Sequence, residues 1–151
     1  MRVVIQRVKK SSVTVENRVV SEISRGFLVL LGISANDKED DTNYIIDKII
    51  NLRIFTDDND KFNLSLQDVF GELLIVSQFT LYGDARKGRR PSFDLAAKGD
   101  LALPIYEDFL QKLKSKYNPE KIKTGIFAAM MDVSLVNDGP VTILLDSEKK
   151  F

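Results

Sequence analysis

A chain of 151 residues fits one domain, 1–151, long enough to bury roughly 68–70% of its unfolded surface without covalent staples. It holds no cysteine and no histidine, so disulfides, thiol nucleophiles, Ser-His-Asp triads and zinc-hydroxide chemistry are excluded, and neither a metal site nor a cofactor is expected. The 22 basic and 22 acidic residues cancel, which argues against a general nucleic-acid coat protein. The charge is uneven, however: residues 37–60 hold eight acidic and three basic groups, and residues 86–123 hold ten basic and five acidic ones. Such segregation reads either as two solvated faces or as a basic side that meets phosphates. The longest apolar run, Phe27–Leu31, is too short to span a bilayer, and the N-terminus enters a strand pattern with no signal-like apolar region. A cytoplasmic protein with no membrane partner is expected.

In chain order, Val3–Val8 and Val13–Val15 are rich in β-branched residues and predict strands. Glu16-Asn17-Arg18 reverses the chain into Val19–Ile23, and Ser24-Arg25-Gly26 turns it into Phe27–Ile33, a central strand buried on both faces. A helix is predicted from about 38 to 51, with Asn36 or Asp37 as N-cap and Glu39, Asp40 and Asp41 at the positive end of its dipole. Leu52–Phe55 predicts a short strand. Asp57-Asp58-Asn59-Asp60 lacks the glycine and terminal glutamate of a calcium loop and predicts a polar turn. Leu64–Leu66 falls in a loop or single helical turn. Glu72–Gln78 predicts a second central strand, which Phe79–Tyr82 either continues or leaves at an angle.

Gly83–Phe93 carries Arg86, Lys87, Arg89 and Arg90 and predicts a mobile basic loop closed by Pro91. Asp100 is the expected cap of a second helix, with Pro104 in its first turn. Ile105, Tyr106, Phe109, Leu110, Leu113 and Tyr117 supply its apolar face, and Asn118-Pro119 ends it. Lys121–Phe127, Val133–Val136 and Val141–Leu145 predict closing strands, and Asp138-Gly139-Pro140 predicts a rigid tight turn between the last two. Strands, helix, strands, helix, strands argue for an α+β fold.

Two stretches go beyond architecture: Ser77-Gln78-Phe79-Thr80-Leu81, and Asn137-Asp138-Gly139-Pro140-Val141-Thr142. Together they resemble the two signature motifs of the D-aminoacyl-tRNA deacylase family. Met1–Val8, Asn51–Phe55 and Arg86-Lys87-Gly88 run parallel to that family in the same order. The resemblance implies a curved, barrel-like, mostly antiparallel sheet with two packed helices. It also implies a homodimer with the active site at the subunit interface. The Gly139–Pro140 bond would be cis, would enter the partner's active site, and would be braced by Arg7; an exposed strand arginine is the plain alternative for Arg7. Where the family commonly has Phe-Gly-x-x-Met, this chain has Phe127-Ala128-Ala129-Met130-Met131, so any need for positive φ at 128 is in doubt. Met130 and Met131 suit either core filling or contact with adenosine. Phe79 suits either the core or stacking near a terminal adenine.

The resemblance implies hydrolysis of the ester in D-aminoacyl-tRNA. Thr80 is the candidate nucleophile, with Ser77 and Gln78 beside it, but no lysine or carboxylate is near it in sequence to act as base. The vicinal ribose hydroxyl of the tRNA can supply that assistance, leaving the protein to position the ester and to offer N–H groups to the oxyanion. Selection against L-amino acids would rest on main-chain atoms at Gly139-Pro140, with Phe79, Asn137, Arg7 and Met131 around the substrate. Glycyl-tRNA passes such a filter and is an expected second substrate. Arg86, Lys87, Arg89 and Arg90 are the candidate tRNA contacts. The alternatives are a non-catalytic nucleic-acid-binding module and a synthetase-type editing domain for another amino acid.

Overall fold

A single 14-residue strand, β1 (Arg2–Val15), organises the computed structural model, which describes residues 1–150. The two strands predicted at Val3–Val8 and Val13–Val15 are one, because Asp132–Asp146 pairs across the intervening segment at Lys10, Ser11 and Ser12, and Arg18–Ile23 takes up the opposite edge from Ser11. On one edge, Arg2–Val8 pairs antiparallel with β3 (Gly26–Gly32) and Ser11–Val15 pairs with β2 (Arg18–Ile23). The other edge carries β8 (Asp132–Asp146) along almost the whole length of β1. Glu16 and Asn17 make the β1–β2 turn with φ of 49° and 63°, the two positive dihedrals that match the twist of a tight hairpin.

Beyond β3 the sheet becomes parallel. β6 (Glu72–Ser77) lies beside β3, and β7 (Ile122–Thr124) lies beside β6. Parallel neighbours need crossovers, and the two helices supply them. α1 (Glu39–Asn51) lies between β3 and β6, and α2 (Gly99–Lys116) lies between β6 and β7. The sheet curves until its ends approach: the Ser21 hydroxyl of β2 donates to the Thr124 carbonyl of β7 at 2.5 Å. The result is a nearly closed, barrel-like mixed sheet with two helices, in agreement with the expected α+β class.

β3 is buried on both faces, as its apolar run predicts. Phe27, Val29 and Leu31 join Val3, Ile5, Leu73 and Ile75 against Ile45, Ile46 and Ile49 of α1 and Tyr106, Phe109 and Leu113 of α2. Leu28 faces the other way, into a second core with Val8, Val13, Ile23, Leu74 and Val76, lined by strands alone. Burying a leucine, isoleucine or phenylalanine contributes roughly 1.5–3 kcal/mol, so these two layers dominate the stability of the sheet.

Several boundaries differ from the sequence reading. The N-cap of α1 is Lys38, with the Asp41 carboxylate accepting the Lys38 N–H at 2.8 Å. Asp37 is drawn away from capping because its carboxylate takes the N-terminal ammonium at 2.5 Å and the Ser34 N–H at 2.8 Å. Burial pushes the Asp37 carboxyl above its ordinary value. α2 starts at Gly99 with Lys98 as N-cap, so Asp100 is already inside it and Pro104 sits in the second turn rather than the first. The strand expected at Leu52–Phe55 is β4 (Phe55–Thr56), and it pairs with β5 (Phe62–Leu64), which overlaps the loop predicted at Leu64–Leu66 only in Leu64. The run Lys121–Phe127 is extended only over Ile122–Thr124 before a turn whose Ala129 N–H donates to Ile126 at 3.2 Å.

The largest correction concerns Val133–Val136 and Val141–Leu145. They are not two strands joined by a tight turn but two halves of one 15-residue strand, β8. Asn137 pairs with Val8 and Thr142 pairs with Gln6, so residues 138–141 bulge out opposite the single residue Arg7. Asp-Gly reads as a hairpin signal, but β1 offers a continuous partner on both sides of it, and that pairing wins.

Candidate active site

β6 ends at Ser77, and the chain leaves the sheet at once in a 3₁₀ turn, Phe79–Tyr82. The turn is held from below. Gln78 N–H donates to the Leu31 carbonyl at 2.7 Å, and Arg2 reaches across from β1 to donate to the Leu81 carbonyl at 3.1 Å. The Arg2 guanidinium also lies over the Tyr82 ring, 4.5 Å from its centroid. These contacts leave Phe79 and Thr80 exposed at the mouth of a cleft of about 700 Å³. Among the predicted residues, Ser77, Gln78, Phe79, Thr80 and Met131 all line it.

The opposite wall is a strap, residues 84–98, pinned twice. Asp84 and Ser92 exchange both main-chain bonds, at 2.8 and 2.9 Å, and Ala97 N–H donates to the Ile33 carbonyl at 2.9 Å. Between these points Phe93 turns into the cleft and meets Phe79 edge to face, with ring centroids 5.1 Å apart. The floor is apolar: Leu31, Val76, Ala97, Phe127 and Val133. Met130 stands at the lip, 92% exposed, whereas Met131 is half-buried against the strand-lined core. The two methionines that the sequence leaves undivided therefore part company, one to the rim and one to the wall.

Inside the cleft the chemistry is sparse. The Gln78 amide donates to the Thr80 hydroxyl oxygen at 2.5 Å. An amide donor is no base, so this contact orients Thr80 without activating it. No carboxylate lines the cleft, and Lys98 is the one charged residue among the described residues that do. Among the described residues no group of three or more acidic side chains is placed to hold a metal ion, and no helix is long and apolar enough to cross a membrane.

A second constellation lies on the β8 bulge. Arg7 is buried at 6% exposure, so the plain exposed-arginine reading does not hold. It donates to the Asp138 carbonyl at 3.1 Å and to the Ile54 carbonyl at 2.6 Å, and it pairs with the Asp138 carboxylate at 3.2 Å. Asn137 clamps the bulge ends: its carbonyl accepts the Val141 N–H at 2.9 Å, and its amide donates to Thr142 at 3.0 Å. The Gly139–Pro140 peptide bond is cis. Gly139 adopts φ of 124°, and a Cβ there would sit 2.8 Å from Val141 and 3.0 Å from the Arg7 guanidinium. Only glycine fits this position. Gly139 and Pro140 project into solvent and do not line the cleft of their own chain.

The basic loop forms a third group. Arg86 is tied down by Asp84, its Nε and Nη2 donating at 2.8 and 2.6 Å to the two carboxylate oxygens. That pairing holds the Asp84 carboxyl well below the usual carboxylate range and raises the Arg86 guanidinium. Lys87, Arg89 and Arg90 are exposed and carry no ion pair among the described residues.

Residues 4–146 match the family described as D-Tyr-tRNA(Tyr) deacylase. The chain belongs to that family. It is 60% identical to proteins named D-aminoacyl-tRNA deacylase from Clostridioides difficile (strain 630) and Thermosipho africanus (strain TCF52B), covering all of both chains in each case. It is also similar to a solved structure named c-Myc DNA Unwinding Element Binding Protein, at 46% identity and a TM-score of 0.93, covering 97% of this chain and 98% of that one. A structure named as a probable eukaryotic D-amino acid tRNA deacylase shares the fold at 21% identity, with a TM-score of 0.78 and coverage of 95% and 97%.

In this deacylase-family chain, the sequence reading missed the partners that hold the motif residues rather than the motifs themselves. Arg2, Phe93 and Thr142 hold motif residues and Lys98 lines the cleft, and all four lie outside the quoted stretches or carry no chemical label in them. Phe93, closing the basic loop, is the one with a usable signal, since a lone aromatic in a polar segment asks for an apolar partner.

Proposed function

We propose that this protein hydrolyses the ester joining a D-amino acid to the 3′-terminal ribose of tRNA, releasing the amino acid and the free tRNA. The observation that carries the reading is the cleft bounded by Ser77, Gln78, Phe79 and Thr80 in a chain matched to the deacylase family over residues 4–146. Water adds across the ester: its hydroxyl stays on the amino-acid carboxyl carbon, and its proton goes to the departing ribose oxygen. The cleft lining offers no carboxylate or histidine to deprotonate Thr80 or the water. The vicinal ribose hydroxyl is then the group beside the scissile bond that orients the water, and the enzyme contributes position and main-chain N–H donors to the oxyanion.

Selectivity follows from the bulge. Its clamp by Arg7 and Asn137 makes the Gly139-Pro140 main chain rigid, and its exposure makes it available to a second copy. A two-fold homodimer, each bulge entering the partner's cleft, is the simplest assembly that brings both constellations together. Rigid main-chain atoms beside the substrate Cα exclude an L side chain and pass D-residues and glycine, so glycyl-tRNA is a second substrate. Lys87, Arg89 and Arg90 meet tRNA phosphates. The reaction belongs in the cytoplasm, where tRNA is charged.

The test is single-turnover deacylation of matched D- and L-tyrosyl-tRNA. The D-substrate is released and the L-substrate is spared; equal rates sink the reading. Thr80→Ala keeps substantial activity, with a loss well under about 10³-fold, the scale of losing one oxyanion donor. Abolished turnover in a folded variant would restore Thr80 as nucleophile. A second reading, a nucleic-acid-binding module without catalysis, is favoured by the name of the 46% identical structure. It predicts binding of tRNA with no release of amino acid.

A further inference from the structure

Among the described residues the cleft carries one charge, and none of the others answers it. Lys98 precedes α2, lines the same cavity as Thr80, and has no ion-pair partner among the described residues. The rest of the lining is alanine, glycine, aliphatic and aromatic side chains with the Ser77, Gln78 and Thr80 polar groups. A lone cation beside an apolar cavity is selective by sign. It repels a protonated α-amino group and attracts a phosphodiester. The 3′ end of an aminoacyl-tRNA has both, on opposite sides of the terminal ribose, so one cation is enough to decide which way round it enters.

We propose that Lys98 binds the phosphate on the 5′ side of the substrate's terminal adenosine, and that this contact points the aminoacyl ester away from the start of α2 and toward Ser77, Gln78 and Thr80. The proposal rests on the deacylase reading and adds to it a specificity-determining residue. It also separates two kinds of basic contact. Lys87, Arg89 and Arg90 stand outside the cleft and serve the body of the tRNA, whereas Lys98 serves the last nucleotide. The Lys98 side chain makes no capping bond and is exposed, so it can be exchanged without removing an intrachain bond.

The experiment uses adenosine and adenosine 5′-monophosphate as binding probes, followed by NMR titration of the full chain. Alongside it, single-turnover hydrolysis is measured for D-tyrosyl-adenosine with and without a 5′-phosphate. The wild type should favour the phosphorylated member of each pair by about two- to fivefold at low salt, the range of an exposed ion pair. Lys98→Gln should abolish that preference, and Lys98→Arg should keep it. With whole D-tyrosyl-tRNA, Lys98→Gln should lower kcat/KM through the lost phosphate contact, and lower the salt slope by about 0.7, the value for one phosphate on a single strand. The same preference in wild type and Lys98→Gln overturns the proposal, as does an unchanged salt slope with whole D-tyrosyl-tRNA. Failure of the parent reading looks different: a wild type inert on every aminoacyl-tRNA that still binds the monophosphate through Lys98 loses the deacylase activity and keeps the phosphate site.

Discussion

Ala128 is one of the residues at which local strain is visible. The Ile126–Ala129 turn demands a positive φ at its third position, and Ala128 supplies it at 60°, a conformation in which a Cβ costs about 1–2 kcal/mol. The sequence left open whether that dihedral survives the loss of glycine, and it does. The neighbours explain why. Phe127 packs against the Tyr106 ring at 5.3 Å and Met131 Sδ occupies the space that a Cβ at Gly125 would need, 2.6 Å from it, so both flanks of the turn are anchored. Ala128→Gly should therefore stabilise the fold by about 1 kcal/mol, raising Tm by about 2–4 °C. Thermal unfolding of the two proteins checks this, and an unchanged or lower Tm would mean that the turn relaxes elsewhere. Gly139 is the converse case. There the position keeps its glycine, because Arg7 and Val141 occupy the space a Cβ would need.

At the scale of elements, α2 shows how packing assigns roles that periodicity leaves mixed. Its apolar residues lie on several sides, but only Ala102, Tyr106, Phe109 and Leu113 are buried. Tyr106 carries its hydroxyl into the core and donates to the Ile75 carbonyl of β6 at 3.4 Å, joining helix and sheet. Burial pushes its phenol up to about 12 from 10.0. The folded state therefore holds that proton more tightly than the unfolded chain. Its contribution is fully present below pH 10 and is lost as pH rises through about 12. Tyr106→Phe should be less stable than wild type by about 1 kcal/mol near pH 8, where it lacks only a hydrogen bond. The order should reverse near pH 12, since wild type forfeits about 2–3 kcal/mol over that window and the variant does not. Urea unfolding at both pH values decides, and parallel alkaline losses in the two proteins would refute the assignment.

At the scale of the whole molecule, the two constellations do not meet within one chain. The cleft holds Ser77, Gln78, Phe79, Thr80 and Met131, while Gly139 and Pro140 project from the β8 bulge into solvent. The dimer proposed above predicts a sedimentation mass of twice 17.1 kDa at assay concentration. It also predicts specific activity that falls on dilution as chains separate. A fully active, D-selective monomer would refute the cross-subunit arrangement.

Much of this was legible in the chain. Apolar runs marked β1, β3 and β6, because a strand buried on one or both faces must be apolar at those positions, whereas β2 was marked by its β-branched residues although only Ile23 in it is buried. The absence of histidine and cysteine narrowed the chemistry before any geometry was known. The Ser77–Thr80 and Asn137–Thr142 stretches pointed to the family that the match over residues 4–146 bears out. What tertiary structure alone decided is how partners compete. Asp138-Gly139-Pro140 reads locally as a hairpin, yet β1 is long enough to pair with the chain on either side of it, and the turn becomes a bulge over Arg7. Asp37 reads as a helix cap, yet the N-terminal ammonium claims its carboxylate. Lys98 reads as one lysine among many, and only the crossover of α2 brings it to the cleft that β6 ends in. Local sequence sets what each residue can do, but the choice among those possibilities goes to contacts made across the fold, which no short window of sequence contains.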